Sequence, residues 1–179
     1  GSKEFVWYKN ELLSGDEPQK LPKTGQLTSY ADFDDGWYTK GTTSNFSKDS
    51  IAEIVTDSST SLMWQDNTDT SDVAKKRNWA DAQNYCHGLL LGGYDDWRLP
   101  QIQELYFIAK KDSATPLGTP FEYAATDDYW SADISNDIAT YVNFADAYEN
   151  YVFIHEIPII QPEKPLKNVR CVRGETDII

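Results

Sequence analysis

The stretch Gly92-Gly93-Tyr94-Asp95-Asp96-Trp97-Arg98-Leu99-Pro100 lies between two segments of helical pattern, and its reading decides the fold. The paired glycines are expected to end the first helix, since glycine readily adopts the left-handed backbone that closes helices. The second helix follows Pro100. Trp97, Leu99 and Pro100 are expected to pack the junction between the two. Arg98 carries a planar guanidinium that can clamp several acceptors at once, so it is expected to pair with a carboxylate or with loop carbonyls.

On the N-terminal side, Asn78 is a good N-cap before Trp79, and Asp81 places negative charge in the first turn. Trp79, Ala82, Cys86 and Leu89 follow at spacings of 3, 4 and 3, which is one helical face. On the C-terminal side, Gln101 starts the second helix and Glu104 reaches back to its free amides. Ile102, Leu105, Ile108 and Ala109 form its buried stripe.

Strands flank the helices. Residues 51–55 and 61–64 read as a hairpin about the turn Asp57-Ser58-Ser59-Thr60. Residues 129–131, 139–144, 151–154 and 168–173 read as later strands, and Pro158, Pro162 and Pro165 mark a loop before the last one. Strands, two helices and more strands make an α+β fold. Residues 1–21 read as an arm or linker, 22–174 as one domain and 175–179 as a tail. The chain shows no internal repeat.

Composition narrows the function. The chain has 179 residues and a net charge of −13. Nucleic acid is excluded as a partner, because binding phosphates needs clustered Lys and Arg. Lys75-Lys76-Arg77 is too short a cluster to change this and reads as a solvated loop. No run of 18 apolar residues exists, so no membrane insertion is expected. Gly1-Ser2 reads as a remnant of expression, so a leader peptide is expected upstream in the natural protein. The six Trp, eleven Tyr and seven Phe suit strands and contact surfaces.

Cys86 and Cys171 are the chain's two cysteines. They are either two buried thiols or one bridge. Cys86 lies on the core face of the first helix and Cys171 in the final strand, which favours a bridge. It would close a loop of roughly 86 residues, contribute about 4–5 kcal/mol and imply an oxidising compartment.

A set of motifs in order then resembles a known family. These are Thr24-Gly25-Gln26, Asp34-Asp35-Gly36, Leu62-Met63-Trp64-Gln65-Asp66, Trp79-Ala80-Asp81-Ala82 and Tyr85-Cys86, followed by the 92–100 block. Glu104-Leu105, Tyr129-Trp130-Ser131, Val142-Asn143-Phe144 and Val169-Arg170-Cys171-Val172-Arg173 complete it. Over residues 22–174 the chain resembles the C-terminal domain family of the Legionella collagen-like adhesin. The resemblance implies a C-type-lectin-like fold, two helices on a mainly antiparallel twisted sheet, with the first helix tied by a disulfide to the last strand. The family's named member binds sulfated glycosaminoglycans and trimerises. Neither property is carried over, because this chain is strongly acidic and has no collagen-like stalk.

Catalytic signals are weak. There is no Gly-x-Ser-x-Gly, the cysteines are expected to be bonded, and His87 and His155 stand alone. No catalytic residue is assigned. Calcium is the candidate cofactor, since it takes 6–8 oxygens from carboxylates, amides and carbonyls. Asp66 and Asp69 in one oxygen-rich run, and Asp133 and Asp137 in another, are its candidate ligands, although such clusters are more often solvated turns. Tyr123, Asp127, Asp128, Tyr148 and Tyr151 are the candidate ligand contacts, as flat rings beside hydrogen-bonding groups suit both sugars and proteins.

The expected function is a non-catalytic binding or adhesion module for a glycan or surface protein, exported to the periplasm, surface or medium of a bacterium. Two alternatives are a structural domain of a larger envelope protein and an enzyme acting on polysaccharide.

Overall fold

The computed structural model describes residues 44–109, 117, 120–154 and 164–175. The expected arm 1–21, Pro158, Pro162, His155 and all but the first residue of the expected tail fall outside them.

The order is α+β, with two helices and two antiparallel sheets. Strands β1 (Phe46–Asp49), β2 (Ile54–Asp57), β3 (Met63–Gln65) and β7 (Val172–Arg173) form the first sheet in that order. Strands β4 (Asp128–Ser135), β5 (Ile138–Asn143) and β6 (Tyr148–Phe153) form the second. Helices α1 (Trp79–His87) and α2 (Ile102–Ile108) lie between β3 and β4 in the chain.

The expected first hairpin needs correcting. Residues 50–53 are a turn, because the Asp49 carboxylate accepts from the amides of Ile51 and Ala52 and Glu53 takes φ +58°. The strand therefore starts at Ile54 and pairs back onto β1, which the sequence reading missed. The second turn falls at residues 58–60, organised by Asp57 at the end of β2, and the strand after it starts at Met63 rather than at Ser61. The Asp57 carboxylate takes the Ser59 amide and the hydroxyls of Ser59 and Thr60.

Both helix starts are as expected. Asn78 accepts from the Asp81 amide at 3.0 Å, and the Gln101 amide donates to Glu104 at 2.8 Å. The first helix ends earlier than expected, at the C-cap Gly88. Gly92 and Gly93 instead turn the chain between Leu91 and Tyr94, at φ +59° and +82°. A Cβ on Gly92 would press on the Ile54 side chain, and its positive φ is itself strained for any residue but glycine.

Two apolar clusters make the core. One gathers Val55, Trp64, Leu105, Ile108, Tyr129 and Val142, with α2. The other gathers Ile54, Ala82, Cys86, Trp97, Trp130 and Cys171, with α1. Neighbours in a strand point to opposite faces, so Ile54 and Val55, like Tyr129 and Trp130, feed different clusters. The two helices thus cover opposite sides of the strands. The Cys86–Cys171 bridge lies in the α1 cluster, with both residues fully buried. The final strand is shorter than expected. Asn168 makes only a parallel bridge to Tyr129, and Val172 bridges Arg98 as well as pairing with β3.

The 92–100 block joins these parts. Trp97 and Leu99 are buried, and the Trp97 indole donates to the Leu91 and Tyr94 carbonyls. The Pro100 carbonyl accepts from Ala132 in β4 at 2.7 Å. Arg98 takes both partners expected of it. It meets Glu104 in a fork at 2.7 and 2.6 Å and the Gly174 carbonyl at 2.8 Å. Glu104 in turn caps α2, so one ion pair fixes the block, the helix start and the C-terminal segment.

Candidate functional site

Three of the four acidic residues proposed as metal ligands, Asp66, Asp69 and Asp133, are placed by the fold against cations or amides. Asp66 is fully buried. It receives Lys48 at 2.6 Å, Arg170 at 3.1 Å, and the amides of Glu122 and Tyr123 at 2.9 and 3.1 Å. Burial opposes its ionised form. The Arg170 guanidinium, the two amides and Lys48 outweigh that and hold the carboxyl below the usual carboxylate range. Lys48 also meets Glu122 at 2.8 Å. Burial opposes its charge too, and the hydrogen bonds to Asp66 and Glu122 raise its pKa overall.

Arg170 is fully buried and donates to the Gln65 carbonyl at 2.5 Å, the Thr70 hydroxyl at 3.2 Å and the Tyr123 carbonyl. It stitches β3, the Thr68–Thr70 turn and the 120–125 segment together. Sequence reading missed this role. The available signal was a charge inside the apolar run Val169-Arg170-Cys171-Val172, where an unpaired cation would be costly.

Asp69 accepts from the Tyr85 hydroxyl at 3.2 Å and lies 3.8 Å from Lys75. Burial, with help from the Asp69 charge, pushes Tyr85 up to about 12. Asp127 is paired with Lys76 at 2.6 Å and Asp128 with Lys167 at 2.8 Å. Burial opposes ionisation of Asp127, but Lys76 and the Asp128 amide hold its pKa down. The 75–77 cluster is therefore more than a solvated loop. Lys76 is paired, and Arg77 stacks on Tyr85 at 3.7 Å. Asp133 accepts the Ile102 amide at 2.6 Å and so supports the start of α2. Asp137 sits in the β4–β5 turn at φ +64°. Among the described residues, no three Asp, Glu, His or Cys side chains are grouped to hold a metal ion.

The proposed ligand contacts separate in the same way. Tyr123 belongs to the buried seam, with Lys48 5.1 Å from its ring centre. Asp127 and Asp128 are paired with lysines. Tyr148 and Tyr151 lie on β6, whose only sheet neighbour among the described strands is β5.

The β4–β5–β6 sheet carries a different kind of surface. Asn136 and Asp137, both at positive φ, make its two-residue hairpin turn. In register, Thr140 faces Tyr151 and Ile138 faces Phe153. Asp133, Ser135, Asn136, Ile138, Thr140 and Tyr151 line an open depression of about 540 Å3 beside that turn. Tyr151 is 75 % exposed over it. The side chains of Ser135 and Asn136 are exposed at its rim. This arrangement offers a flat ring, hydroxyls and an amide to a ligand, within the 300–1,000 Å3 range of small-molecule sites. Of the expected contacts, Tyr151 lines this depression, with Asp133 from the proposed metal set.

No helix among the described residues is long and apolar enough to cross a membrane. No curated protein matches the chain. A family model does match: the Lcl C-terminal domain, over residues 53–173. The match takes in the 92–100 block, both bridged cysteines and the three-stranded sheet, and the chain belongs to the Lcl C-terminal domain family.

Proposed function

We propose that this adhesin-related domain is a non-catalytic, calcium-independent recognition module of C-type-lectin-like fold, exported from a bacterial cell and binding its ligand in the Tyr151 depression. The observation that carries the reading is the exposed Tyr151 ring over a depression whose rim carries the exposed side chains of Ser135 and Asn136. Exposed aromatic anchors ringed by polar groups are the usual centre of a contact surface.

The lectin-like assignment is supported by the family, by the bridge from α1 to the last strand, and by the pairing of β3 with β7. The buried disulfide supports an oxidising compartment. Calcium independence is supported by Asp66, Asp69, Asp127 and Asp128, whose carboxylates already face lysine or arginine. A cation there would have to displace an ammonium or guanidinium group. The absence of catalysis is supported by the bonded cysteines and by the structural engagement of the same carboxylates.

Screening the chain against glycan and surface-protein arrays, in calcium and in a chelator, tests the reading. Binding is expected in both conditions and is expected to weaken in Tyr151→Ala. Binding only with calcium, or turnover of an oligosaccharide, would contradict it.

A further inference from the structure

Residues 112–163 contain ten Asp and Glu and no Lys or Arg, although the whole chain has 16 Lys and Arg. The three-stranded sheet and its depression lie inside this stretch. Lysines from elsewhere reach its near end, where Lys76 and Lys167 meet Asp127 and Asp128. None lines the depression at the far end, around the 135–137 turn. Sulfated or uronate-rich ligands would therefore approach acidic side chains with no cation to receive them, and in the low-dielectric margin of a protein that costs affinity.

The lining also argues against a cationic ligand. Its one carboxylate, Asp133, is already held by the Ile102 amide at the start of α2. Glu149 on the same face of β6 accepts from the Tyr106 hydroxyl at 3.3 Å. Apart from Asp133, which is turned to the Ile102 amide, the lining side chains are uncharged. Among the described residues, no side-chain hydrogen bond engages the Ser135 hydroxyl, the Asn136 amide or the Tyr151 hydroxyl, and Ser135 and Asn136 are exposed. These groups hydrogen-bond well to hydroxyls, and the ring face suits the C–H face of a sugar.

We infer that the Tyr151 depression takes an uncharged pyranose, stacked on the Tyr151 ring with its hydroxyls bonded by Ser135 and Asn136. The inference rests on the recognition reading above and adds the ligand's charge class and its seat. It points away from sulfated glycans even though this is an adhesin-related domain.

Saturation-transfer NMR on the full chain tests it, with neutral hexose and N-acetylhexosamine oligosaccharides, heparin and a lysine-rich peptide as probes. The neutral oligosaccharides are expected to bind, with affinity at least tenfold lower in Tyr151→Ala and kept in Tyr151→Trp. Tyr151 is a surface residue, so both variants are expected to fold, and their unchanged amide spectra away from β6 would show it. Binding of heparin or the peptide alone, lost in Tyr151→Ala, would overturn the sugar class and leave the recognition site standing. Neutral sugar binding unaffected by Tyr151→Ala would overturn the seat. No binding by any probe would remove the sugar inference, and loss of array binding as well would remove the recognition reading.

Discussion

The seam around Asp66 and Arg170 and the outer face of β5–β6 contain similar residue types and use them in opposite ways. In the seam, charged and aromatic side chains face each other. Asp66, Arg170, Lys48, Tyr123 and Thr70 are mutually bonded, and the disulfide lies one residue away at Cys171. On β5–β6, the side chains of the last strand point mostly to solvent, and Tyr151 contributes little to packing. Acidic residues alone therefore say nothing about a metal site. What distinguishes the regions is whether the fold brings a cation to each carboxylate.

Removing one partner from the seam should have the largest effect on stability. Asp66→Ala would leave Arg170 buried without its counter-ion, which typically costs about 3–5 kcal/mol. Urea unfolding monitored by tryptophan fluorescence checks this, and a cost under about 1 kcal/mol would mean the seam is wetter than described. The same pair sets the pH response. The folded pKa of Asp66 lies below its unfolded value, so its stabilisation is complete above about pH 4 to 5 and is lost as pH falls through the folded value. The Lys48 pKa is raised, so its share is complete below the unfolded lysine value of about 10.4 and is lost as pH rises through the folded value. Asp66→Asn should flatten the acid limb of the stability curve and leave the neutral plateau lower.

Next in size is the bridge. Replacing Cys86 and Cys171 together with Ala should cost about 2–5 kcal/mol, chiefly by freeing the unfolded chain. Chemical unfolding of the double variant measures it, and an unchanged midpoint would contradict the placement of both cysteines in the core. Arg98→Lys comes third. It keeps the charge and loses the fork to Glu104, so about 1–2 kcal/mol is expected. Smallest is Tyr151→Ala, which should change stability by less than about 0.5 kcal/mol while weakening ligand binding. A large loss of stability there would erase the contrast between the two regions.

Much of this was legible in the sequence, and the misses share a cause. The helix starts at Asn78 and Gln101 could be read because caps are local chemistry, settled within three residues. The Arg98–Glu104 pair was half legible, since a guanidinium in an apolar block needs an acceptor, although the acceptor was not identified. The bridge was legible from the positions of its two ends. Strand β1 was not, because its apolar content is low and pairing with β2 defines it. The cations that face the acidic candidates were not legible for the same reason. The partners of Asp66 lie 18 residues before it and 104 after it in the chain, and no local pattern announces them. Tyr151 stood out as a flat ring beside hydrogen-bonding side chains; its place over a depression depended on the Asn136–Asp137 turn.

The most direct test is an amide chemical-shift map of the uniformly labelled protein with a neutral oligosaccharide, recorded with calcium and with a chelator. The account predicts shifts clustered at residues 133–140 and around Tyr151, the same in both conditions. Shifts centred on residues 66–72 and 122–128, seen only with calcium, would contradict it.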